Sequence, residues 1–326
     1  MRLNKNSKFI SALLSLLLIF LLSACAGASS VQKEEAVLAT GGTAGTYFAV
    51  GSAMSTVLNP VLKRSELSVL STGGSRANIA LLDSRDAAFA IVQNDVLYYA
   101  YTATDLFNGD TAHERLRGIA CLYEETLQIV TCDENIKTIA DLKGKTVCVG
   151  DEGSGVEVNA RQILEVYGIT FDDINVVNAS FDAAADSLKS GAIDAAFIIA
   201  GAPTKAVTDL AQDTKIRLVA LDDEHISALQ TKYRFYAKTS LPADTYPGFS
   251  EDVTTVSVKA VLAASERMPK GQVYELLSAF FESNELLSSS HKGLEGLTEQ
   301  VAAEGISIPL HKGAEEYYKE KGITIN

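Results

Sequence analysis

The groups best suited to chemistry in this chain are backbone amides bared by glycine. Val37 to Gly51 reads V-L-A-T-G-G-T-A-G-T-Y-F-A-V-G, an apolar strand, a glycine-rich turn and the first turns of a helix. Glycine lets N–H groups face outward where a side chain would block them, and the helix behind adds the positive end of its dipole. Such a turn is a site for an anion. A second stretch of the same kind, Val147 to Arg161, places Gly153-Ser154-Gly155 behind another short strand. Its amides and the Ser154 hydroxyl either hold a carboxylate or simply turn the chain.

Other chemistries fit less well. Thr40 to Gly45 has no G-x-G-x-x-G frame and lacks the lysine of a phosphate-binding loop. Tyr317 and Lys321 have the spacing of a dehydrogenase pair but sit at the extreme C-terminus, so no cofactor is expected. Gly73-Gly74-Ser75-Arg76-Ala77 approximates a nucleophile elbow with Ala in the last place. His113, His225, His291 and His311 are scattered, which leaves Ser75 without an evident base and gives no metal-ligand spacing. Ser75 and Asn78 share the first turn of a helix, as a cap with an exposed amide or as two hydrogen-bonding groups for a polar ligand. Asp95, two residues after Gln93, either caps its helix or accepts a bond from a ligand ammonium. Tyr47 and Phe48 either wall a pocket or pack in a core.

The elements that must position these residues alternate. A strand at 37–40, a helix at 45–58 ended by Asn59-Pro60, a strand at 67–71, a helix at 76–83 and a strand from Ala87 to Val92 predict a parallel sheet. Ligand contacts then gather at the strands' C-terminal ends, where Gly41 to Tyr47, Gly73 to Asn78 and Gln93 to Asp95 all fall. Two apolar runs, Leu116 to Tyr123 and Thr126 to Thr131, lead into a second lobe with strands at 146–149, 174–177, 194–199 and 216–220. Its helices follow at 155–167, 181–190 and after Ala200-Gly201-Ala202-Pro203. The chain is expected to return near Tyr233 to Thr239, with a strand from Val253 to Ala264 and helices at Gly271 to Leu287 and Leu294 to Glu304. The expected fold is therefore α/β with two lobes, 37–125 with 239–326 and 126–238. Two crossings make a hinge, and a hinge permits closure.

With 326 residues, 47% hydrophobic and 21% charged, the chain has ample material for two globular lobes. Arg2, Lys5 and Lys8 precede an apolar run from Phe9 to Leu22, too short to span a bilayer comfortably, which reads as a secretory signal. Leu22-Ser23-Ala24-Cys25 resembles a bacterial lipobox. Cleavage after residue 24 would leave Cys25 as a lipidated first residue on a tether over 25–36, anchoring an exported protein to the outer face of the membrane. Losing three basic residues takes the formal charge from −13 to −16. That acidity excludes a nucleic-acid partner, which needs a basic footprint. Cys121, Cys132 and Cys148 remain, an odd number inside apolar runs, and read as small buried hydrophobes.

Taken together, the motifs resemble the TAXI-type solute-binding proteins of tripartite ATP-independent periplasmic (TRAP) transporters. The similarity rests on Thr40 to Tyr47, Thr72 to Asn78, Gln93-Asn94-Asp95, Asp141 to Lys145, Gly153-Ser154-Gly155 with Asn159-Ala160-Arg161, Gly191 to Ala196, Ala200 to Pro203, and Ile308 to Ala314 before Tyr317-Tyr318. The resemblance implies a type II periplasmic-binding fold with a hinge and an interlobe cleft. It implies a receptor, not an enzyme, that closes on a small carboxylate such as glutamate, glutamine or 2-oxoglutarate and delivers it to a TRAP permease. The implied contacts are Gly42, Thr43, Gly45, Thr46, Tyr47, Ser75, Asn78, Gln93 and Asp95 from one lobe. Gly153, Ser154, Gly155, Val156, Gly201 and Pro203 would come from the other. Val156 stands where the family usually has Thr, which makes that corner more apolar. A ligand sensor docking on a kinase would present the same pocket.

Overall fold

The computed structural model describes residues 33–325; the signal segment, Cys25 and the start of the tether lie outside them. Strands β1 (Glu34–Ala39), β2 (Ser65–Leu70) and β3 (Phe89–Gln93) form a parallel set, connected by helices α1 (Thr46–Leu58) and α2 (Ser75–Ser84), with α3 (Asn94–Thr102) following β3. Parallel pairing requires a crossover after each strand, so every helix here starts at a strand's C-terminal end. The strand β3 is buried along its whole length. Its side chains alternate between two cores: Phe89 and Ile91 pack with α1, Ala90 and Val92 with α2 and α3.

The strand β4 (Leu116–Thr131) is where expectation and structure part. The sequence presents two apolar runs separated by Glu124-Glu125, whereas the chain folds as one strand of 16 residues. At about 3.3 Å per residue it is long enough to run through both lobes. The second lobe contains β5 (Thr146–Cys148), α4 (Gly155–Val166), β6 (Asn175–Val177), α5 (Phe181–Ser190), β7 (Ala195–Ala200), α6 (Lys205–Asp213), β8 (Arg217–Leu218), α7 (Asp223–Lys232) and β9 (Ala237–Leu241). Here too the strand at the centre alternates, with Phe197 and Ile199 in one core and Ala196 and Ile198 in the other.

A second long strand, β10 (Val253–Ser265), brings the chain back. It lies antiparallel between β3 and β4 in the first lobe, as β4 lies antiparallel between β7 and β8 in the second. The resulting strand order is β2-β1-β3-β10-β4-β7-β5-β6. Each lobe thus receives one strand that began in the other, and the pair β4/β10 is the hinge. Leu241, Tyr246 and Val253 pack with Ala196 and Leu210 in the second lobe. The crossing therefore falls inside β10 rather than at Tyr233 to Thr239, because these apolar side chains find their core on the second lobe's sheet.

The remaining helices, α8 (Lys270–Glu282), α9 (Asn284–Ser290), α10 (Glu299–Ala303) and α11 (Lys312–Glu320), complete the first lobe. The single helix expected over Gly271 to Leu287 breaks at Ser283, whose φ of −102° and ψ of 15° leave the helical region. The helix expected over Leu294 to Glu304 is confined to α10. Cys121, Cys132 and Cys148 are free thiols, the first and last buried.

Candidate functional site

Three helix starts meet between the lobes. The helix α1 opens at Gly45 and α2 at Gly74, and neither has a side-chain cap, so their first-turn N–H groups are left for a ligand. Gly74 sits at φ 94° and ψ −152°, a conformation a side chain would oppose. From the other lobe α4 opens at Ser154, whose hydroxyl accepts a bond from the Glu157 N–H. Between these starts lies a cavity of about 60 Å³.

Of the residues singled out in the sequence, Gly42, Gly45, Thr46, Tyr47, Ser75, Gln93, Ser154, Gly155 and Val156 line this cavity. The others lie elsewhere. Thr43 is exposed at the tip of its turn. Asn78 is fully buried and spends its amide on the Thr40 and Ile91 carbonyls, at 2.6 and 2.8 Å, so it ties the turn to the sheet. Asp95 lies behind the cavity, accepting from the Asn159 amide at 2.7 Å and from the Val96 N–H at 2.8 Å. Gly153 donates to the Glu157 carboxylate. Gly201 offers its carbonyl to the Thr46 hydroxyl across the cleft at 2.9 Å. Pro203 is exposed.

Glu125 also lines the cavity and is absent from the set of residues that the sequence motifs point to. It projects from the middle of β4, 2% exposed, and one of its oxygens accepts a 2.6 Å bond from the Tyr47 hydroxyl. Gln93 donates from Nε2 to Asn159 Oδ1 at 3.1 Å and, more weakly, to the other Glu125 oxygen at 3.5 Å. Burial drives the Glu125 carboxyl up to about 8, against the opposing pull of the Tyr47 hydrogen bond. Burial first, then the neighbouring Glu125, lifts the Tyr47 phenol well above its usual value. Asp151, also on the wall, is raised by burial and by Asp182. The signal for Glu125 was present, since a charged residue between two apolar runs is either a surface break or a buried functional group. Gly41, Gly73, Gly74, Phe181, Ile199 and Ala200 complete the wall. No lysine, arginine or histidine lines it among the described residues.

The lobes are closed on one another. A Cβ on Gly155 would lie 1.5 Å from Gln93 Oε1, and one on Gly201 2.8 Å from the Thr46 methyl. Glycine at these two places lets the backbone of one lobe rest against side chains of the other. With uncapped helix starts facing inward and a two-strand hinge, the molecule has the architecture of a periplasmic binding protein.

The comparisons agree. The chain belongs to the NMT1-like family, whose model matches residues 38–322. It is similar in fold to a solved periplasmic transporter structure at 15% identity and a TM-score of 0.58, with 89% of this chain and 92% of that one covered. The periplasmic binding protein BugD matches at 12% identity and a TM-score of 0.57, with 89% and 98% covered. A protein of Bordetella bronchiseptica RB50 matches at 12% identity and 0.56, again with 89% and 98% covered. Among the described residues no helix is long and apolar enough to cross a membrane.

Proposed function

We propose that this chain is an extracytoplasmic solute receptor, lipid-anchored through Cys25, which captures a small carboxylate and hands it to a TRAP permease. The observation that carries the reading is the convergence of three helix starts, two from one lobe and one from the other, on a single interlobe cavity. Amides at helix starts bind a carboxylate by charge-assisted hydrogen bonds, each worth about 1.5 to 3 kcal/mol. Closure then excludes water, and no bond in the solute is broken. The class of solute, glutamate, glutamine or a dicarboxylate, follows from the resemblance to TAXI-type receptors. The cavity-lining subset of the named residues supplies the first contacts, with Asn78 and Asp95 as their supports.

A thermal-shift screen of amino acids and carboxylates is the direct test. Stabilisation by at least one small carboxylate, with no product formed on incubation, is expected; failure of every one would overturn the reading. A gene for a large permease beside this one supports delivery for transport. A sensor kinase there, without a permease, would assign the same pocket to signalling.

A further inference from the structure

Beyond the solute cavity the lobes also meet along the helices α3 and α4. Two left-handed residues, Ala103 at φ 52° and Asp105 at φ 47°, turn the chain after α3 and set the Asp105 carboxylate against α4. Such a backbone is unfavourable for a residue with a side chain and persists where its surroundings hold it. The holding groups come from the other lobe: the Arg161 guanidinium donates to Asp105 Oδ1, and Gln162 donates from Nε2 to Oδ2 at 3.1 Å. Gln162 is itself fixed, since it also donates to the Tyr99 hydroxyl at 3.1 Å and accepts from Tyr236 at 2.7 Å. The carboxylates one turn away from Arg161 on its own helix are taken. Glu165 pairs with Lys232 at 2.6 Å, and Glu157 accepts from the Gly153 N–H and the Asn178 amide.

We propose that Asp105 and Arg161 form an ionic latch between the lobes, which favours the closed form at low ionic strength and releases it as salt rises. An ion pair on an open surface contributes little, but here one partner is nearly buried. The Asp105 side chain is 14% exposed, and its two oxygens take two donors from the opposite lobe. The other partner reaches water: the Arg161 side chain is 44% exposed, and both residues border an open groove with Leu106, Glu157, Val158 and Phe171. Salt therefore screens the pair, the Debye length falling from about 30 Å at 0.01 M to about 3 Å at 1 M. The neighbouring contact does not share this response. Phe235 packs its ring on Tyr98 and Tyr99, with centroids 5.3 and 5.8 Å apart, and screening does not act on apolar contact. Neither Asp105 nor Arg161 lines the solute cavity, so the latch acts on closure whatever the solute is.

This inference rests on the receptor reading only for the motion of the lobes, and its test needs no solute. Small-angle scattering of the full chain, extrapolated to zero protein concentration, would be recorded in about 0.02 M and about 0.5 M sodium chloride. The ratio of open to closed molecules should rise about threefold to fivefold in the higher salt, read as a larger radius of gyration. The sign is diagnostic: with a formal charge of −13, screening of the chain's self-repulsion alone would leave the molecule the same size or smaller. Asp105→Asn, which keeps the side chain's size and tolerates the left-handed backbone, should be expanded already at low salt and lose the response. Arg161→Gln should behave alike, and carries the same expectation if the first variant does not fold. Both changes together should do no more than either alone. Lys189→Gln, which breaks the pair with Asp213 inside the second lobe, should respond to salt as wild type does. A wild-type chain of one size at both salts, or single variants that still expand with salt, would overturn the latch while leaving carboxylate capture intact. A chain that shows the response yet binds no carboxylate would uphold the latch and overturn the capture reading.

Discussion

Glu125 is a buried carboxyl group on the cavity wall and the residue of the site least legible in the sequence. In a linear reading, Glu124-Glu125 between two apolar runs looks like a turn, because carboxylates are seldom buried. What the sequence does not show is that β10 pairs alongside, with Val258 opposite Glu125, so the strand continues through the charge. Such burial has a measurable signature. The folded carboxyl titrates near 8 against an ordinary value of 4.5, so between those limits the folded state binds more protons than the unfolded one. The stabilising contribution is complete below 4.5 and lost as pH rises through 8. Relative to Glu125→Gln, the wild-type protein should therefore lose on the order of 1 kcal/mol per pH unit across that window. Chemical denaturation of both proteins from pH 5 to 8 checks this, and parallel curves would mean that Glu125 is solvated in solution.

At the scale of elements, strand–turn–helix units were readable because glycine turns and apolar strands announce themselves locally. Gly41 to Tyr47, Gly73 to Ser75 and Gly153 to Val156 do begin helices at strand ends, and most of their flagged residues reach the cavity. At the site the differences are tertiary. Asn78 has the right place on the first turn of α2, yet its amide faces the sheet, because the Thr40 and Ile91 carbonyls need donors there. The helix α7 escaped notice because a short polar segment shows little periodicity, although Asp222 caps it by accepting from the His225 N–H. Gly155 illustrates how one element serves both lobes. An alanine there suits the helix, by up to about 1 kcal/mol. In the closed form, however, its Cβ would press on Gln93 Oε1, on Gln93 Cδ at 2.5 Å and on Val96 at 3.2 Å, all from the opposite lobe. Gly155→Ala should leave the unliganded thermal midpoint unchanged or higher while weakening solute binding at least tenfold. A variant that binds normally would show that closure does not bring α4 onto Gln93.

In the proposed receptor the whole molecule works by closure, and the hinge alone does not decide how stable the closed form is. A buried polar network does: Gln93 and Asp95 from one lobe meet Asn159 and Tyr236 from the other, and Tyr236 donates onward to Gln162 at 2.7 Å. The two bonds that cross, from Gln93 to Asn159 and from Asn159 to Asp95, exist only when the lobes are together, so they bias the open–closed equilibrium and, through it, the apparent affinity for solute. Asn159→Ala would leave the Asp95 carboxyl buried with a single backbone donor. An unsatisfied buried group of this kind costs about 1 to 3 kcal/mol, so the solute's dissociation constant should rise by roughly tenfold to a hundredfold. Burial lifts Asp95 to about 6, and the bond from Asn159 favours its ionised form. The defect should therefore be largest above pH 6 and shrink below it, where Asp95 carries a proton and the lost donor matters less. It should also shrink when Asp95→Asn is added, since no charge is then stranded. Calorimetry gives the affinities, and small-angle scattering gives the size of the molecule at saturating solute. A variant that binds as tightly as wild type at pH 7.5, and contracts to the same radius, would show that the network does not contribute to closure.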